Sequence, residues 1–311
     1  MPESRRIVIF GCGALGSLFA GLLAAAGHEV VAVCRNEQQR EAIRQHGLQL
    51  LEKENQRQVP FQVCAELPAA ERYDLVIVLV KSFDTEAAAQ ILAERLSPQT
   101  PVLTLQNGLG NAEALAARLQ PGQVLAGVTT FGALQEAPGV VRLTGRGECE
   151  IGAWARAAEL HLRAAAQLLT GSGLPCSISP NIGAALWKKL AVNAVINPLT
   201  ALLGVPNGEL LQHEELQNLF AVIVEEVWHV AARCQVGLPM PSELVAEVRR
   251  ICQLTAANRS SMFRDVEQGR PTEIDAINGA VVRLGRERGV LAPANLTLAS
   301  LIQTLSKHES K

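Results

Sequence analysis

The chain has 311 residues, a length that accommodates two domains of ordinary size. Hydrophobic residues make up 48% and charged residues 19%, which supplies buried cores and gives no compositional sign of disorder. A net charge of −2 excludes the cationic excess of a general nucleic-acid binder, and seven cysteines with no C-x-x-C spacing argue against a disulfide framework or a zinc ribbon.

Taken in chain order, Arg5 and Arg6 precede a long apolar stretch, Ile7 to Ala26, that has the outline of a leader or a membrane span. Glycines break it early and a strand-like run follows at once, so a folded βαβ start accounts for it better. Strands are expected at Arg6–Phe10, Glu29–Cys34, Leu75–Val80, Val102–Leu105 and Val124–Val128. Helices are expected at Gly16–Ala26, Glu37–His46, Asp84–Leu96 and Asn111–Leu119. Fully apolar strands such as Leu75–Val80 belong in a sheet covered on both faces. The alternation therefore predicts an α/β Rossmann-type domain with a doubly wound parallel sheet, to which Thr129 to Gly152 adds strands at one edge.

From Asn181 onward the pattern turns helical, with amphipathic runs at Ile182–Ile196, Glu214–Gln235, Ser242–Asn258 and Ile274–Arg288. The predicted organisation is a dinucleotide-binding domain over residues 1–179, followed by an all-helical substrate-binding domain over residues 180–311. Neither half offers a metal-ligand cluster, and no second stretch has membrane length. The expected setting is the cytoplasm, with the cysteines reduced.

Phe10 is followed by Gly11-Cys12-Gly13-Ala14-Leu15-Gly16, a G-x-G-x-x-G after a strand and at the opening of a helix. In that context Gly11 allows the tight turn, Gly13 lets main chain approach a pyrophosphate, and Gly16 lets the helix pack on the strand. The second strand ends Val33-Cys34-Arg35-Asn36 with no carboxylate until Glu37. An Arg35 guanidinium there suits a 2′-phosphate, which a carboxylate would repel, so NADPH is the expected cofactor. Lys81 and Gln106-Asn107-Gly108 stand just past two further strands, where open α/β sheets bind ligands.

The most informative segment is Leu186 to Pro198. Lys189, Asn193 and Asn197 are spaced i, i+4, i+8 and share one stripe of a helix whose other positions are apolar. An ammonium and two carboxamides in such surroundings need partners, either an internal network or a polar ligand. Pro198 is expected to break the helix directly after Asn197, and Lys188, one position off the stripe, to face solvent. Farther on, Thr272 has the position of an N-cap ahead of Glu273 and Asp275.

These motifs, with Pro206-Asn207-Gly208-Glu209, Asn258-Arg259-Ser260-Ser261-Met262 and Thr272-Glu273-Ile274-Asp275-x-Ile277-Asn278-Gly279, resemble the ketopantoate reductase family in order from Gly11 to Asn278. The resemblance implies NADPH-dependent reduction of 2-dehydropantoate to (R)-pantoate, in the pathway to pantothenate and coenzyme A. It also implies Lys189 as general acid, Glu273 as a catalytic residue beside the cofactor, and substrate contacts from Asn193, Asn197, Asn207, Asn258 and Ser261. Cofactor contacts are implied for the loop Gly11 to Gly16, for Lys81 and Asn107, and for Ala133 in the stretch Thr129–Ala133.

The implied partner is a small 2-keto acid, with no nucleic acid and no membrane, and the chain a monomer or homodimer. A reductase of another small 2-keto acid on the same fold would carry the same motifs. A sensor that had lost the chemistry is expected to have lost the lysine or the polar set, and both are present.

Overall fold

A computed structural model describes residues 4–69 and 72–308. The elements of the first part are β1 (Arg6–Phe10), α1 (Ala14–Ala25), β2 (Glu29–Val33), α2 (Glu37–His46), β3 (Leu48–Glu52), β4 (Asn55–Val59), β5 (Gln62–Cys64), β6 (Leu75–Val78), α3 (Thr85–Arg95), β7 (Val102–Thr104), α4 (Asn111–Ala116) and β8 (Val124–Thr129). They continue with β9 (Gly132–Ala137), β10 (Val140–Gly145), β11 (Cys149–Ala153), α5 (Glu159–Gly171) and β12 (Cys176–Ile178). The helices that follow are α6 (Ile182–Leu203), α7 (Glu214–Arg233), α8 (Pro241–Leu254), α9 (Ser261–Glu267), α10 (Asn278–Glu287) and α11 (Pro293–His308).

The chain divides into two units: residues up to Gln106 with Asn111–Ile182, and Asn107–Gly110 with Gly183 onward. In the first, an eight-stranded sheet has the order β12-β11-β8-β7-β6-β1-β2-β5. The register runs Ile7 to Val30 on one side of β1 and Ile7 to Leu75 on the other. Its central strands are sealed on both faces, with Ile7, Val8, Ile9, Val76 and Ile77 without exposed surface, which is why they read as unbroken apolar runs. The sheet is mixed, because β11 runs antiparallel to β8.

The stretch after Thr129 does not simply extend that sheet, as the sequence had implied. β9 and β10 join β3 and β4 in a separate four-stranded sheet, and β11 alone continues into the larger one. The reason lies in β4, whose Asn55, Gln56, Arg57 and Gln58 are all exposed and carry no apolar alternation. That strand is held by its neighbour β3, whose other edge then receives β10 in parallel, Val140 against Gln49. Helix α1 packs against both sheets: a Cβ at Gly16 would come within 3.4 Å of Ile9, and one at Gly21 within 2.8 Å of Leu48.

The second unit contains no strand among its described residues. Its core gathers Leu190, Ala194 and Val195 of α6, Phe220, Ile223 and Val227 of α7, Val248 of α8, Val281 of α10 and Ile302 of α11. Contrary to the expectation at Pro198, α6 continues through that residue to Leu203. The run from Ile274 is interrupted: a single 3-10 turn, Ile274–Ala276, precedes α10. Glu273, not Thr272, is the residue that caps that turn.

Candidate active site

The glycine loop follows directly from the register of β1 with its neighbours. Gly11 has φ +109° and donates its N–H to Val33 O at 3.0 Å, and a Cβ there would lie 2.5 Å from the Val80 nitrogen. Both the left-handed backbone and the close approach demand glycine. A Cβ at Gly16 would fall 1.9 Å from the Gly11 carbonyl oxygen, so this glycine admits the loop itself as well as the strand behind it. Gly13 differs: a Cβ would meet nothing within 4 Å, so its bareness serves open space in front of the main chain. Gly13 caps α1 without a side-chain hydrogen bond, and the first turn has no acidic residue. The turn through Ala14, Leu15 and Gly16 thus presents main-chain N–H groups and the positive helix end to an anion, and this fits a dinucleotide pyrophosphate.

Behind the loop, Cys12 and Cys34 lie in one buried cluster. A hydrogen bond between the two thiols holds Cys34 below the ordinary thiol value and raises Cys12, with burial adding to the rise. Ser17 Oγ lies 3.3 Å from Cys12 Sγ and receives a hydrogen bond from Gln39 Nε2 at 3.1 Å, which ties the loop to α2.

At the end of β2, Arg35 is largely exposed and forms a two-pronged ion pair with Asp84. Arg40, buried, donates to the carbonyl oxygens of Cys34 and Arg35 at 2.6 and 2.8 Å and pairs with Glu37. The first carboxylate after the strand is thereby engaged by an arginine on its own helix. Asn36 caps α2 by accepting from the Gln39 N–H at 2.9 Å, a role its position just before the helix announces.

Lys81 opens a 3-10 turn two residues beyond β6 and is half-buried. Gln106, which the sequence reading had not placed in the site, donates from Nε2 to Val80 O at 2.9 Å and to Thr85 Oγ1 at 2.7 Å. Thr104 donates to its Oε1 at 2.9 Å, so the carboxamide braces the main chain just ahead of Lys81. Ala133 lies on β9 opposite Leu143. The stretch before it is anchored by Phe131, which packs edge-on to Phe19 of α1 at 5.9 Å.

In the helical unit, α6 places Lys189, Asn193 and Asn197 on one stripe, with Trp187, Leu190, Ala191, Ala194, Val195 and Ile196 buried around them. Lys189 and Asn193 are half-buried, Asn197 is buried, and Lys188 faces solvent. Asn207 is brought to Asn258 by a main-chain bond from its N–H to the Asn258 carbonyl, 2.9 Å. Its Nδ2 donates to Thr255 Oγ1 at 2.9 Å, whereas its buried Oδ1 has no donor among the described residues. Ser261 is exposed at the start of α9, which Ser260 caps by accepting from the Phe263 N–H at 3.0 Å. Glu273 is buried, and its Oε2 accepts from Asn107 Nδ2 at 3.4 Å.

The positions singled out in sequence thus form two groups, each within its own unit. The loop Gly11 to Gly16, Arg35, Lys81 and Ala133 lie in the α/β unit. Lys189, Asn193, Asn197, Asn207, Asn258, Ser261, Glu273 and Asn107 lie in the helical one.

Comparison with known proteins gives the same division. A family model described as "Ketopantoate reductase PanE/ApbA" matches residues 7–156, and "Ketopantoate reductase PanE/ApbA C terminal" matches residues 181–306. A 2-dehydropantoate 2-reductase of Archaeoglobus fulgidus is 36% identical, the match covering 96% of this chain and 97% of that one. One from Vibrio cholerae is also 36% identical, covering 98% and 99%. Among solved structures, a PanE/ApbA family ketopantoate reductase from Ralstonia eutropha JMP134 matches with a TM-score of 0.89 at 34% identity, over 98% of this chain and all of that one. A D-mandelate dehydrogenase, in a ternary structure with NADH and anilino(oxo)acetate, matches with a TM-score of 0.94 at 28% identity, with the same coverage.

Proposed function

The chain belongs to the ketopantoate reductase family, and from that premise we propose that it reduces 2-dehydropantoate to (R)-pantoate with NADPH, Lys189 acting as general acid. The observation that carries this reading is the α6 stripe, one lysine and two asparagines in line on a helix otherwise packed into an apolar core. A bound nicotinamide cofactor supplies a hydride to the C2 ketone of the substrate.

Lys189 donates the proton that completes the alcohol. Charge builds on the ketone oxygen as the carbonyl is reduced, and an ammonium beside that oxygen stabilises it before giving up the proton. Lysine suits the role because its reference pKa of about 10.4 keeps it charged at neutral pH. Asn193, Asn197, Asn207, Asn258 and Ser261 orient the hydroxyl and carboxylate of the substrate by hydrogen bonds without adding a repelling charge. The loop Gly11 to Gly16 holds the pyrophosphate and Arg35 the 2′-phosphate. Lys81, Asn107, Ala133 and Glu273 border the cofactor.

The test is direct: loss of NADPH absorbance with 2-dehydropantoate, against a panel of close 2-keto acids and against NADH. Preferential turnover of 2-dehydropantoate with NADPH is the expected result. A second reading, an NADH-dependent reductase of another 2-keto acid, is favoured by the ion pair that occupies Arg35 and by the NADH in the D-mandelate dehydrogenase structure. Faster turnover of an aryl or branched 2-keto acid with NADH establishes it instead.

A further inference from the structure

A proline inside a helix leaves a defined chemical debt. Pro198 has no N–H, so the carbonyl of Ala194, one turn back, loses the donor that any other residue would supply. Ala194 has no exposed surface, so water does not reach that oxygen. Left bare, such an acceptor costs about 1–3 kcal/mol and invites a kink. Yet α6 runs on to Leu203.

The missing donor comes from elsewhere in the unit. Asn278, at the start of α10, donates from Nδ2 to Ala194 O at 2.9 Å. The second Nδ2 hydrogen goes to Asn295 Oδ1 at 3.0 Å. Asn295, on α11, donates in turn to Glu226 Oε2 at 2.8 Å, and Glu226 of α7 also accepts from the main-chain N–H groups of Ala294 and Asn295 at 2.8 and 2.9 Å. Asn278 and Asn295 have no exposed surface, and Glu226 is 9% exposed. A single polar thread therefore joins α6, α10, α11 and α7 through an otherwise apolar core. It meets α6 at the carbonyl directly after Asn193, on account of the proline directly after Asn197.

We propose that Asn278 is a positioning residue for the reduction: its carboxamide replaces the hydrogen-bond donor Pro198 lacks, and so holds Asn193 and Asn197 in line with Lys189 on one straight helix. The inference rests on the reading of that stripe as the substrate-facing set. Asn278 touches neither substrate nor cofactor and acts through α6. A displacement of about 1 Å at substrate-positioning groups costs on the order of a hundredfold in rate. Asn278→Ala is therefore expected to lower kcat/KM for the 2-keto acid by about ten- to a hundredfold, with the Kd for NADPH unchanged.

The discriminating variant is Pro198→Ala, which returns a main-chain N–H to the helix opposite Ala194 O. Pro198→Ala alone is expected to keep activity within about threefold of the parent. Combined with Asn278→Ala it is expected to restore most of what the asparagine variant lost, because the carbonyl no longer depends on the side chain. A loss in the double variant equal to or greater than that of Asn278→Ala overturns the proposal, since a packing role gives no such rescue.

Amide hydrogen exchange across residues 193–200, read by mass spectrometry, follows the same logic without turnover. Exchange is expected to be faster in Asn278→Ala and returned to the parent rate in the double variant; an unchanged rate in Asn278→Ala also overturns the proposal. Should Asn278→Ala fail to fold, the double variant is expected to fold, and its failure counts against the idea. Because exchange needs no substrate, loss of the proposed substrate assignment leaves this second readout intact, and the two failures are told apart.

Discussion

At the scale of single residues, two adjacent lysines carry opposite duties. Lys188 projects into solvent, whereas Lys189 is half-buried on the polar stripe of α6. General acid catalysis contributes about 10²–10⁴-fold, so Lys189→Ala is expected to lose that much turnover while NADPH binding measured by fluorescence is retained. Lys188→Ala is expected to leave both within about twofold. Arg35 is engaged with Asp84, so a 2′-phosphate must compete with that carboxylate for the guanidinium. Arg35→Asp is expected to raise the KM for NADPH by at least tenfold and leave that for NADH nearly unchanged; equal effects on both cofactors remove Arg35 from phosphate recognition. The stripe was legible in sequence because i, i+4 spacing is a local property of a helix. The Arg35–Asp84 pair and the Gln106 brace were not, because both join residues that only the sheet brings together.

At the scale of elements, the β1–loop–α1 unit shows how tightly three glycines are specified for three different reasons. A methyl group at Gly16 lands 1.9 Å from the Gly11 carbonyl oxygen, with main chain on one side and Ile9 on the other. Overpacking of this kind costs about 1–3 kcal/mol, so Gly16→Ala is expected to lower stability by that amount in urea and to weaken NADPH binding through the displaced loop. Unaltered binding with full stability removes the close approach as the reason for the glycine.

The central strands and the helix ends were legible because a doubly covered sheet requires apolar runs and glycines mark its turns. Two elements were not. The hairpin of β3 and β4 carries its polar strand outward, leaving no alternation to read. The continuation of α6 past Pro198 depends on a donor 80 positions away in sequence from the proline it compensates, and no local signal encodes that.

At the scale of the whole molecule, no helix among the described residues is long and apolar enough to cross a membrane, and none of the seven cysteines is in a disulfide. Stability therefore rests on packing and hydrogen bonding, and its acid limb has an identifiable contributor. His28 accepts from the Arg5 N–H at Nδ1, 3.2 Å, and its Nε2 lies 3.0 Å from Ser172 Oγ. Burial, joined by the charge of Arg5, holds its pKa below the usual 6.5.

The folded state thus favours the neutral ring. Its contribution is complete above the unfolded value and is lost as pH falls through the lower, folded one. His28→Gln is expected to show a shallower fall in Tm than the parent as pH drops below about 6.5. An identical slope removes His28 from the acid response.

The division of the molecule has a consequence for recombination. Residues Asn107–Gly110 leave the α/β unit four residues ahead of its next helix and join the helical one, where the Leu109 N–H bonds to Ala276 O at 2.8 Å and a Cβ on Gly108 would lie 2.4 Å from the same oxygen. A chimaera spliced once near the end of β12 inherits this tetrapeptide from one parent and its seat from the other. Two splice points flanking the tetrapeptide, in addition to the one after Ile182, are what allow the helical half to travel as an intact inheritance.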